Sequence, residues 1–298
     1  MEGSWIRIKN WMLLISLTGS FISFLIHNRY MKKILKPTPY QDLNSLLDIF
    51  VNNLKETLQD NLVGIYLQGS FAVGDFDENS DCDFIVITHK EISKEKIKDL
   101  EKIHKIIRQS DSSWREQLEG SYFSKNIIAS TKYIHKKVWY FDRGSINIEK
   151  SNHCNKVHVR WVLRNKGVVL YGPNPKDFIE EINIQEFKKE CYDTIQQFGE
   201  NILSNSKDWD NQFYQAFIVL SYCRMIHDLK NGSNNSKLAG ANWVKENLDP
   251  QWEDLIDKTW INRIDPARAV KQKANPQDFQ RTLEFVKYIM KESKKYYL

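Results

Sequence analysis

The chain has 298 residues, of which 41% are hydrophobic, 12% aromatic and 27% charged. This composition is typical of a globular protein with enough apolar residues for two cores, and it excludes an intrinsically disordered chain. A formal net charge of +5 suits small anionic ligands such as nucleotides. Without a localised basic patch it does not indicate a nucleic-acid-binding protein.

Residues 1–30 differ in composition from the rest of the chain. An uncharged apolar stretch lies between Asn10 and His27 and is preceded by two basic residues. It is shorter than the roughly 20 residues of a membrane-spanning helix and resembles the core of a signal peptide. Because no small-residue cleavage site follows it, we expect the folded protein to start at Met31. The alternative is an N-terminal membrane tether.

Hydrophobic periodicity predicts a mixture of helices and strands before Pro175. The predicted elements are a helix over 40–58, a strand over 62–67, a strand over 84–87, a helix over 93–107, a strand over 117–123 and a strand over 168–171. The apolar residues expected on the buried side of the helix over 93–107 are Ile97, Leu100, Ile103, Ile106 and Ile107. Strand-like alternation is also present at Val157, Val159, Trp161 and Leu163.

Two aspartates lead into the strand at Phe84. Because residues two apart in a strand point to the same face, the carboxylates of Asp81 and Asp83 are expected to project side by side. Two such anions repel each other, and a divalent cation relieves the repulsion. Mg²⁺ prefers oxygen ligands and is commonly held by one or two carboxylates together with substrate phosphates. The pair therefore predicts a magnesium site.

The turn before these acids carries residues suited to phosphate binding. Gly69 permits a tight turn and close approach of a ligand, and the Ser70 hydroxyl and the following amides can bind phosphate oxygens. Gly74 lets the chain turn back, and Ser80 leads into the acids. A Gly-Ser pair or an Asp-x-Asp pair alone is common in ordinary turns. Together, between two apolar strands, they resemble the signature of the polymerase-beta-like nucleotidyltransferase superfamily.

Glu119 is the single acid in the segment 117–123. The plain alternative is a glutamate on an edge strand that faces water. Nucleotidyl transfer needs a group that accepts the proton of the attacking hydroxyl. In the superfamily a third carboxylate comes from a strand beside the Asp-x-Asp strand. The resemblance therefore implies that Glu119 is the catalytic base and a third metal ligand.

The pattern after Pro175 is helical only, with helices predicted over 178–198, 213–229, 238–248 and 279–297. The predicted fold class is α+β: a nucleotidyltransferase fold with a mixed β-sheet flanked by helices, followed by an all-α C-terminal domain. The predicted domains are a leader over 1–30, a nucleotidyltransferase domain over 31–175 and a helical substrate and nucleotide-clamping domain over 176–298.

Two basic residues in the helical half are not explained by packing alone. Arg224 lies in an otherwise apolar helix, where a guanidinium is costly unless it is paired or aimed into a cleft. Lys237 stands at the start of the next helix, where backbone amides already favour anions. Each alone is compatible with a surface or salt-bridge residue. Opposite the acids, both suit a triphosphate.

These residues belong to a longer pattern, Cys223-Arg224, Asn231-Gly232 and Ser236-Lys237 followed by Trp243. The pattern resembles the helical domain of the aminoglycoside adenylyltransferases that modify streptomycin and spectinomycin. The segment 158–175 is similar to their linker, and the resemblance covers residues 35–295. It implies ATP as co-substrate, a Mg²⁺ site with two-metal geometry, and transfer of AMP to a drug hydroxyl with release of pyrophosphate.

The resemblance also assigns roles to individual residues. Asp81 and Asp83 match the metal-binding acids, Glu119 the catalytic base, Gly69, Ser70 and Ser80 the phosphate-side turn, and Arg224 and Lys237 the nucleotide contacts. Drug-binding members place a tryptophan and acidic residues around the start of the helix at Phe213. This chain has Asp208, Trp209 and Asp210 there, with Tyr214 in the place of one family acid.

We therefore expect a cytoplasmic, monomeric adenylyltransferase that confers antibiotic resistance and whose partners are ATP and an aminoglycoside or aminocyclitol. One alternative is the same chemistry on a hydroxyl of a cellular protein, RNA or metabolite, for which Lys132–Trp139 is a short basic candidate surface. The other is a non-catalytic nucleotide-binding relative, against which the intact acids argue.

The cysteines are scattered without the paired spacing of a zinc site or a disulfide framework, which predicts reduced thiols. They are Cys82, Cys154, Cys191 and Cys223. His153, Cys154 and His158 form one local cluster. Because no second Cys/His pair lies at ligand spacing, we interpret this cluster as structural or substrate-side and not as a zinc site.

Overall fold

The structure, a computed structural model, describes residues 36–78, 80–263 and 269–297. Residues 36–39 are irregular and belong to a separate unit, Met1–Pro39, whereas all elements below belong to the unit Tyr40–Leu298. The predicted leader over 1–30 lies outside the described residues. In the part that is described, no helix has the length and apolar character needed to cross a membrane.

The described part of the chain contains one six-stranded sheet. Its strands are β1 (Leu62–Leu67), β2 (Cys82–Thr88), β3 (Leu118–Ser124), β4 (Val138–Phe141), β5 (Ile148–Ser151) and β6 (Val168–Tyr171). Their spatial order is β5-β4-β3-β2-β1-β6. β2 and β3 are parallel, and every other neighbouring pair is antiparallel. The predicted mixed sheet is confirmed, and β1 and β6 have the predicted bounds.

Helices cover both faces of this sheet. They are α1 (Gln41–Leu58), α2 (Gly69–Val73), α3 (Lys94–Arg108), α4 (Lys125–Ile128) and α5 (Val157–Lys166). On β2, Phe84 and Val86 join the apolar core formed with α1 and α3, whereas Ile85 and Ile87 join the core on the opposite face with α5. Burial on both faces explains why β2 is a continuous apolar run.

The chain after Pro175, called the helical half here, contains only helices where it is described, as predicted. Its helices are α6 (Ile184–Ser204), α7 (Gln212–Asn231), α8 (Lys237–Asn247), α9 (Glu253–Asn262), α10 (Pro276–Glu292) and α11 (Lys294–Tyr297). α7 packs against α6, α8, α9 and α10, so the centre of this half is an apolar helix with few charges. All four cysteines are buried and free, in agreement with the predicted reduced thiols.

The strand-like interpretation of the segment around Val157 is wrong, because these residues form helix α5. Its fully buried Arg160 donates hydrogen bonds to the carbonyl oxygens of Ser130, Lys156 and Ile127 at 3.2, 3.1 and 2.7 Å. Contacts with segments that are distant in the sequence therefore stabilise this helix. The local alternation of apolar residues does not indicate such contacts.

Two further expectations differ from the structure, and several elements were not predicted. Ile106 was expected on the buried side of α3 but is 49% exposed. α6 begins at Ile184 and not near Phe178, because the Asn183 side chain caps it by accepting a hydrogen bond from the Gln185 amide at 2.8 Å. Strands β4 and β5 and helix α9 were not predicted.

Helix α5 is shared between the two halves of the chain. Val157 contributes to the core of the helical half, whereas Val159 and Leu163 contribute to the core under the sheet. At the start of α5, the Glu190 carboxylate on α6 accepts hydrogen bonds from the amides of Val157 and His158 at 2.6 and 2.9 Å. Its Oε2 lies 2.8 Å from Nδ1 of His158. One carboxylate thus caps α5 and links it to α6.

The glutamine variant of Glu190 is expected to lower the free energy of unfolding by about 2 kcal/mol at pH 7, because it weakens hydrogen bonds to a buried charge. Burial raises the pKa of Glu190, but the hydrogen bonds from His158 and the Val157 amide outweigh it and lower the pKa to about 2. For an acid with a lowered pKa, the stabilisation is present above its ordinary pKa and is lost as the pH falls towards the folded value.

Urea denaturation at a series of pH values measures this difference. The gap between wild type and Glu190→Gln is expected to close between about pH 4.5 and 2. Glu200→Gln, an exposed change on the same helix, is the matched control and is expected to remain within about 0.5 kcal/mol of wild type. A gap that persists unchanged at pH 2 would contradict the assignment.

Candidate active site

The three acids predicted to act together lie at neighbouring ends of the parallel strands β2 and β3. Asp83 on β2 stands directly opposite Glu119 on β3, and Asp81 immediately precedes β2. Residues paired in register on parallel strands present their side chains to the same face of the sheet. The Glu119 side chain is 17% exposed and that of Asp81 41%, so the cluster is open to ligands on the Asp81 side.

This acid cluster is electrostatically unfavourable without a cation. Burial, followed by repulsion from Glu119 and Asp81, raises the pKa of Asp83 to about 8. Burial also raises the pKa of Glu119 to about 7, against the effect of a hydrogen bond from Tyr140. Negative charge is thus disfavoured on acids that lie close together. A divalent cation would supply the positive charge that offsets it.

A three-carboxylate metal site is not preformed in the described residues, where no three His, Cys, Asp or Glu side chains converge on a common point for a metal ion. Two side chains from the β4–β5 hairpin engage two of these carboxylates. The Arg143 guanidinium donates a hydrogen bond to Asp81, and the Tyr140 hydroxyl donates one to Glu119 Oε1 at 2.6 Å. Two carboxylates completed by substrate phosphates remain compatible with Mg²⁺.

Gly69 is required by the position of Asp83. Its φ of +59° lies in the left-handed region, and a Cβ built on it would lie 1.9 Å from Asp83 Oδ2. The Gln68 amide donates to the Asp83 carbonyl at 2.9 Å, which fixes the turn against β2. Next to it, the Ser70 hydroxyl is buried and has no hydrogen-bond partner among the described residues. A buried hydroxyl of this kind beside the acids fits the predicted phosphate contact.

The rest of this turn connects the sheet to the helical half. Ser80, predicted on the phosphate side, uses its hydroxyl oxygen to accept a hydrogen bond from the Asp77 amide at 2.9 Å. Asp77 also forms a salt bridge with Arg263. Asp75 Oδ2 accepts a hydrogen bond from the Leu238 amide at 3.3 Å, in the first turn of α8. The turn thus holds the start of α8 close to the acid cluster.

Arg224 and Lys237 lie on the helical side of the same cluster. Burial, and then repulsion from Arg224, lowers the pKa of Lys237 to about 8, while Asp81 and Asp83 oppose the shift. Neither cation forms a salt bridge or a side-chain hydrogen bond with another described residue; Lys237 Nζ instead lies 5.5 Å from the centre of the Phe217 ring. Two cations without ion-pair partners beside three acids are suited to binding an anionic ligand.

A buried aspartate that the sequence did not single out supports the loop before Lys237. Asp228 is 2% exposed and accepts hydrogen bonds from the Asn234 side chain and the Asn235 amide at 3.0 and 2.8 Å. Burial raises its pKa to about 7, and Arg224 opposes the shift. The polar Asn-Asn pair between two helices is the signal that could have indicated this turn.

Gly240 sets the distance between α7 and α8. A Cβ built on it would lie 2.6 Å from both Cα and N of Arg224. Alanine in place of a helical glycine ordinarily stabilises by about 0.5–1 kcal/mol. Here we expect the opposite sign, with Gly240→Ala losing about 1–3 kcal/mol and binding ATP more weakly, because backbone atoms cannot move aside as a flexible side chain can.

Thermal unfolding and calorimetric ATP titration measure the two effects of Gly240→Ala. Asn242→Ala, at an exposed position of the same helix, is the matched control and is expected to leave both quantities at wild-type values. If Gly240→Ala is as stable as the control, the contact between α7 and α8 does not have the assigned role.

The residues predicted to bind the drug form an aromatic and charged corner at the start of α7. Trp209 packs edge-on against Phe198 and Tyr214 with ring centres 5.3 and 4.8 Å apart, and its buried Nε1 has no partner in the described part of the chain. Asp210 forms a 3.0 Å salt bridge with Lys273, and Asp208 is exposed. One acid of the predicted set is therefore already paired.

The His153 and His158 cluster is divided between two roles. His158 joins Glu190, as described above, whereas His153 Nε2 lies 3.8 Å from Glu119 Oε1. No three ligands of a zinc site meet in the described residues. His158 thus makes a structural contact, and a substrate-side role for His153 stays a prediction.

Comparison with known protein families matches both halves of the chain. Residues 52–138 match the model of the polymerase beta nucleotidyltransferase family. Residues 179–292 match the model of the aminoglycoside adenylyltransferase C-terminal domain. The first match runs from Asn52 within α1 to Val138, the first residue of β4, and contains all three acids. The second covers the helical half with Arg224 and Lys237.

Individual relatives are distant but span most of the chain. The chain is 25% identical over 224 residues to the spectinomycin 9-adenylyltransferase of Campylobacter jejuni, with 72% of this chain and 82% of the relative covered. It is 22% identical over 216 residues to the enzyme of the same name from Staphylococcus aureus, with 68% and 78% covered.

The fold is shared with a solved structure. The spectinomycin adenyltransferase of Enterococcus faecialis, crystallised with ATP and spectinomycin, superimposes with a TM-score of 0.62. The superposition covers 83% of this chain and 98% of that protein, at 17% identity. With both domain matches in the same order along the sequence, the chain belongs to the polymerase-beta-like nucleotidyltransferase superfamily, among the members with an aminoglycoside adenylyltransferase C-terminal domain.

Proposed function

We propose that this protein transfers AMP from ATP to a hydroxyl of an aminoglycoside-type antibiotic, spectinomycin or streptomycin, and releases pyrophosphate. The observation that carries the proposal is the arrangement of Asp81, Asp83 and Glu119 at the ends of β2 and β3, beside Arg224 and Lys237. Acids beside cations that form no salt bridge with another described residue are what a metal-bound triphosphate requires. The spectinomycin adenylyltransferases among its relatives support the choice of acceptor.

The chain's own residues divide the reaction between them. Lys237 and Arg224 bind the β- and γ-phosphates, and the Ser70 hydroxyl donates to a phosphate oxygen. Glu119 accepts the proton of the acceptor hydroxyl as its oxygen forms a bond to the α-phosphorus. The bond between the α-phosphorus and the oxygen that bridges to the β-phosphate breaks, and pyrophosphate leaves with that electron pair. Positioning and electrostatic stabilisation supply the rate enhancement.

Asp81 and Asp83 are the residues that would hold Mg²⁺, with Glu119 beside them. When bound, the ion supplies positive charge that offsets the developing charge on the transferred phosphoryl group. The raised pKa of Asp83 and its position against Gly69 support this assignment. A second Mg²⁺ ion at these acids stays a prediction.

The acceptor is proposed to bind between the acids and the start of α7. Trp209 and Tyr214 offer apolar ring faces, and Asp208 and Asp210 offer carboxylates for an ammonium group of the drug. Because Asp210 is paired with Lys273, a cationic acceptor has to replace that lysine. Tyr214 presents a neutral hydroxyl in place of one family acid.

We further propose a division near residue 175 into a nucleotidyltransferase domain (31–175) and a helical domain (176–298). The separate family matches over 52–138 and 179–292 support this division. ATP as co-substrate and buried free thiols favour the cytoplasm, and a complete set of site residues within one chain favours a monomer.

Incubation with ATP, Mg²⁺ and a panel including spectinomycin and streptomycin tests the proposed function. We expect pyrophosphate release and a product whose mass has increased by one AMP. Bound ATP without a product on any drug would preserve the nucleotide site and direct the search to hydroxyls of cellular proteins, RNA or metabolites. Absence of ATP binding would overturn the proposal.

A further inference from the structure

Arg143 is a cation within the active site that the proposed reaction does not use. It lies in the turn between β4 and β5, and its guanidinium forms an ion pair with Asp81, one of the two acids assigned to the metal. The Arg143 side chain is 26% exposed, so the pair stands at the mouth of the cluster and not in the core. A carboxylate that is engaged by a guanidinium is not free to bind a divalent cation.

The cations around the acids come from two parts of the chain. Lys237 and Arg224, from the helical half, both interact electrostatically with Asp83, and Lys237 also interacts with Asp81. Arg143 interacts with Asp81 and with Glu119, which also accepts the hydrogen bond from Tyr140 of the same hairpin. Of the two cations that act on Asp81, Arg143 has the larger effect.

We propose that Arg143 is the counterion of Asp81 in the ligand-free protein and that a divalent cation displaces it from that carboxylate. This exchange rests on the metal assignment of Asp81 in the proposed function, but not on the identity of the acceptor.

The chemistry of the guanidinium explains why it suits this position. Its planar set of N–H donors matches the oxygens of a carboxylate. The hairpin limits how far it can move, because Tyr140, three residues earlier, contacts Glu119 and Asp142 at 2.6 and 3.0 Å. Once released from Asp81, the guanidinium remains beside the acid cluster and can return to Asp81 when the cation leaves.

The test is binding of Mn²⁺, without nucleotide or drug, to the full chain and its variants by electron paramagnetic resonance. Arg143→Gln is expected to bind Mn²⁺ about fivefold more tightly than wild type, because competition for Asp81 is lost. Arg143→Lys retains the charge and is expected to bind more weakly than Arg143→Gln. The matched control is Lys150→Gln, which removes a cation of the same hairpin that pairs with Glu91. This variant is expected to behave as wild type. Equal affinity of Arg143→Gln and Lys150→Gln would overturn the exchange.

Failure of this exchange and failure of the proposed function are distinguishable. If wild type modifies no drug, the proposed function fails, and the Mn²⁺ measurement still decides whether Arg143 and the cation compete for Asp81.

Discussion

Replacing Asp83 with asparagine is expected to reduce the rate of AMP transfer by at least about 10³-fold, because it removes the central negative charge of the proposed metal site at nearly constant volume. The fold is expected to survive. Asp83 is buried against Gly69 and repelled by two other acids, so loss of its charge relieves an unfavourable interaction in the ligand-free protein. The variant is expected to unfold at the wild-type temperature or above it, as is common where an active site lowers stability.

Single-turnover pyrophosphate release and thermal unfolding, measured on the same preparation, separate the two effects of Asp83→Asn. Asp48→Asn, on the exposed face of α1, is the matched control and should retain both activity and stability. A rate for Asp83→Asn within about tenfold of wild type would refute the assignment of this residue to the metal. A lower unfolding temperature with lost activity would point to a structural role instead.

Glu119→Gln is the second change with a large expected effect. Removal of a positioned proton acceptor costs typically about 10²–10⁴ in turnover, and we expect kcat to fall by that amount. ATP affinity is expected to stay near the wild-type value, because Lys237 and Arg224, the two cations that neighbour Asp83, remain in place. The amide can still accept the hydrogen bond from Tyr140, so the local geometry is retained.

The split between kcat and nucleotide affinity is what distinguishes a base from a binding residue. Calorimetry gives the affinity for ATP, and rapid-quench kinetics give the rate of AMP transfer. Glu116→Gln, an exposed acid three residues earlier, is the control for loss of a charge near β3. Unchanged turnover in Glu119→Gln would assign proton transfer to another group, and weakened ATP binding with unchanged kcat would make Glu119 a ligand of the nucleotide complex.

The part of the site that was predictable from sequence is the part whose signal is local. Gly69, Ser70, Asp81 and Asp83 lie within one strand–turn–strand unit, where spacing alone determines which side chains share a face. Glu119 also lies on a strand of predicted type, and its position opposite Asp83 confirms that the two strands are neighbours. Their functional roles stay predictions until the variants are measured.

The residues that were missed act through contacts between distant parts of the chain. Tyr140 and Arg143 reach the acids only because β4 pairs with β3, and four-residue strands such as β4 and β5 have little periodicity to detect. Asp228 has its effect through a folded turn. The pairing of Asp210 with Lys273 joins positions 63 residues apart. No local pattern reports such contacts, and composition does not either.

Helix α5 was misread for the same reason, and its location has a consequence for engineering. Val157 packs with the helical half, whereas Val159 and Leu163 pack beneath the sheet. A crossover on either side of α5 therefore separates residues that pack together. A chimera that takes its helical half from a relative must also take α5 from that relative, so that α5 and the acid on α6 that caps it come from the same parent. A crossover placed after β6 would pair one parent's α5 with the other parent's α6, and we expect such hybrids to misfold unless Glu190 and its amide partners are kept together.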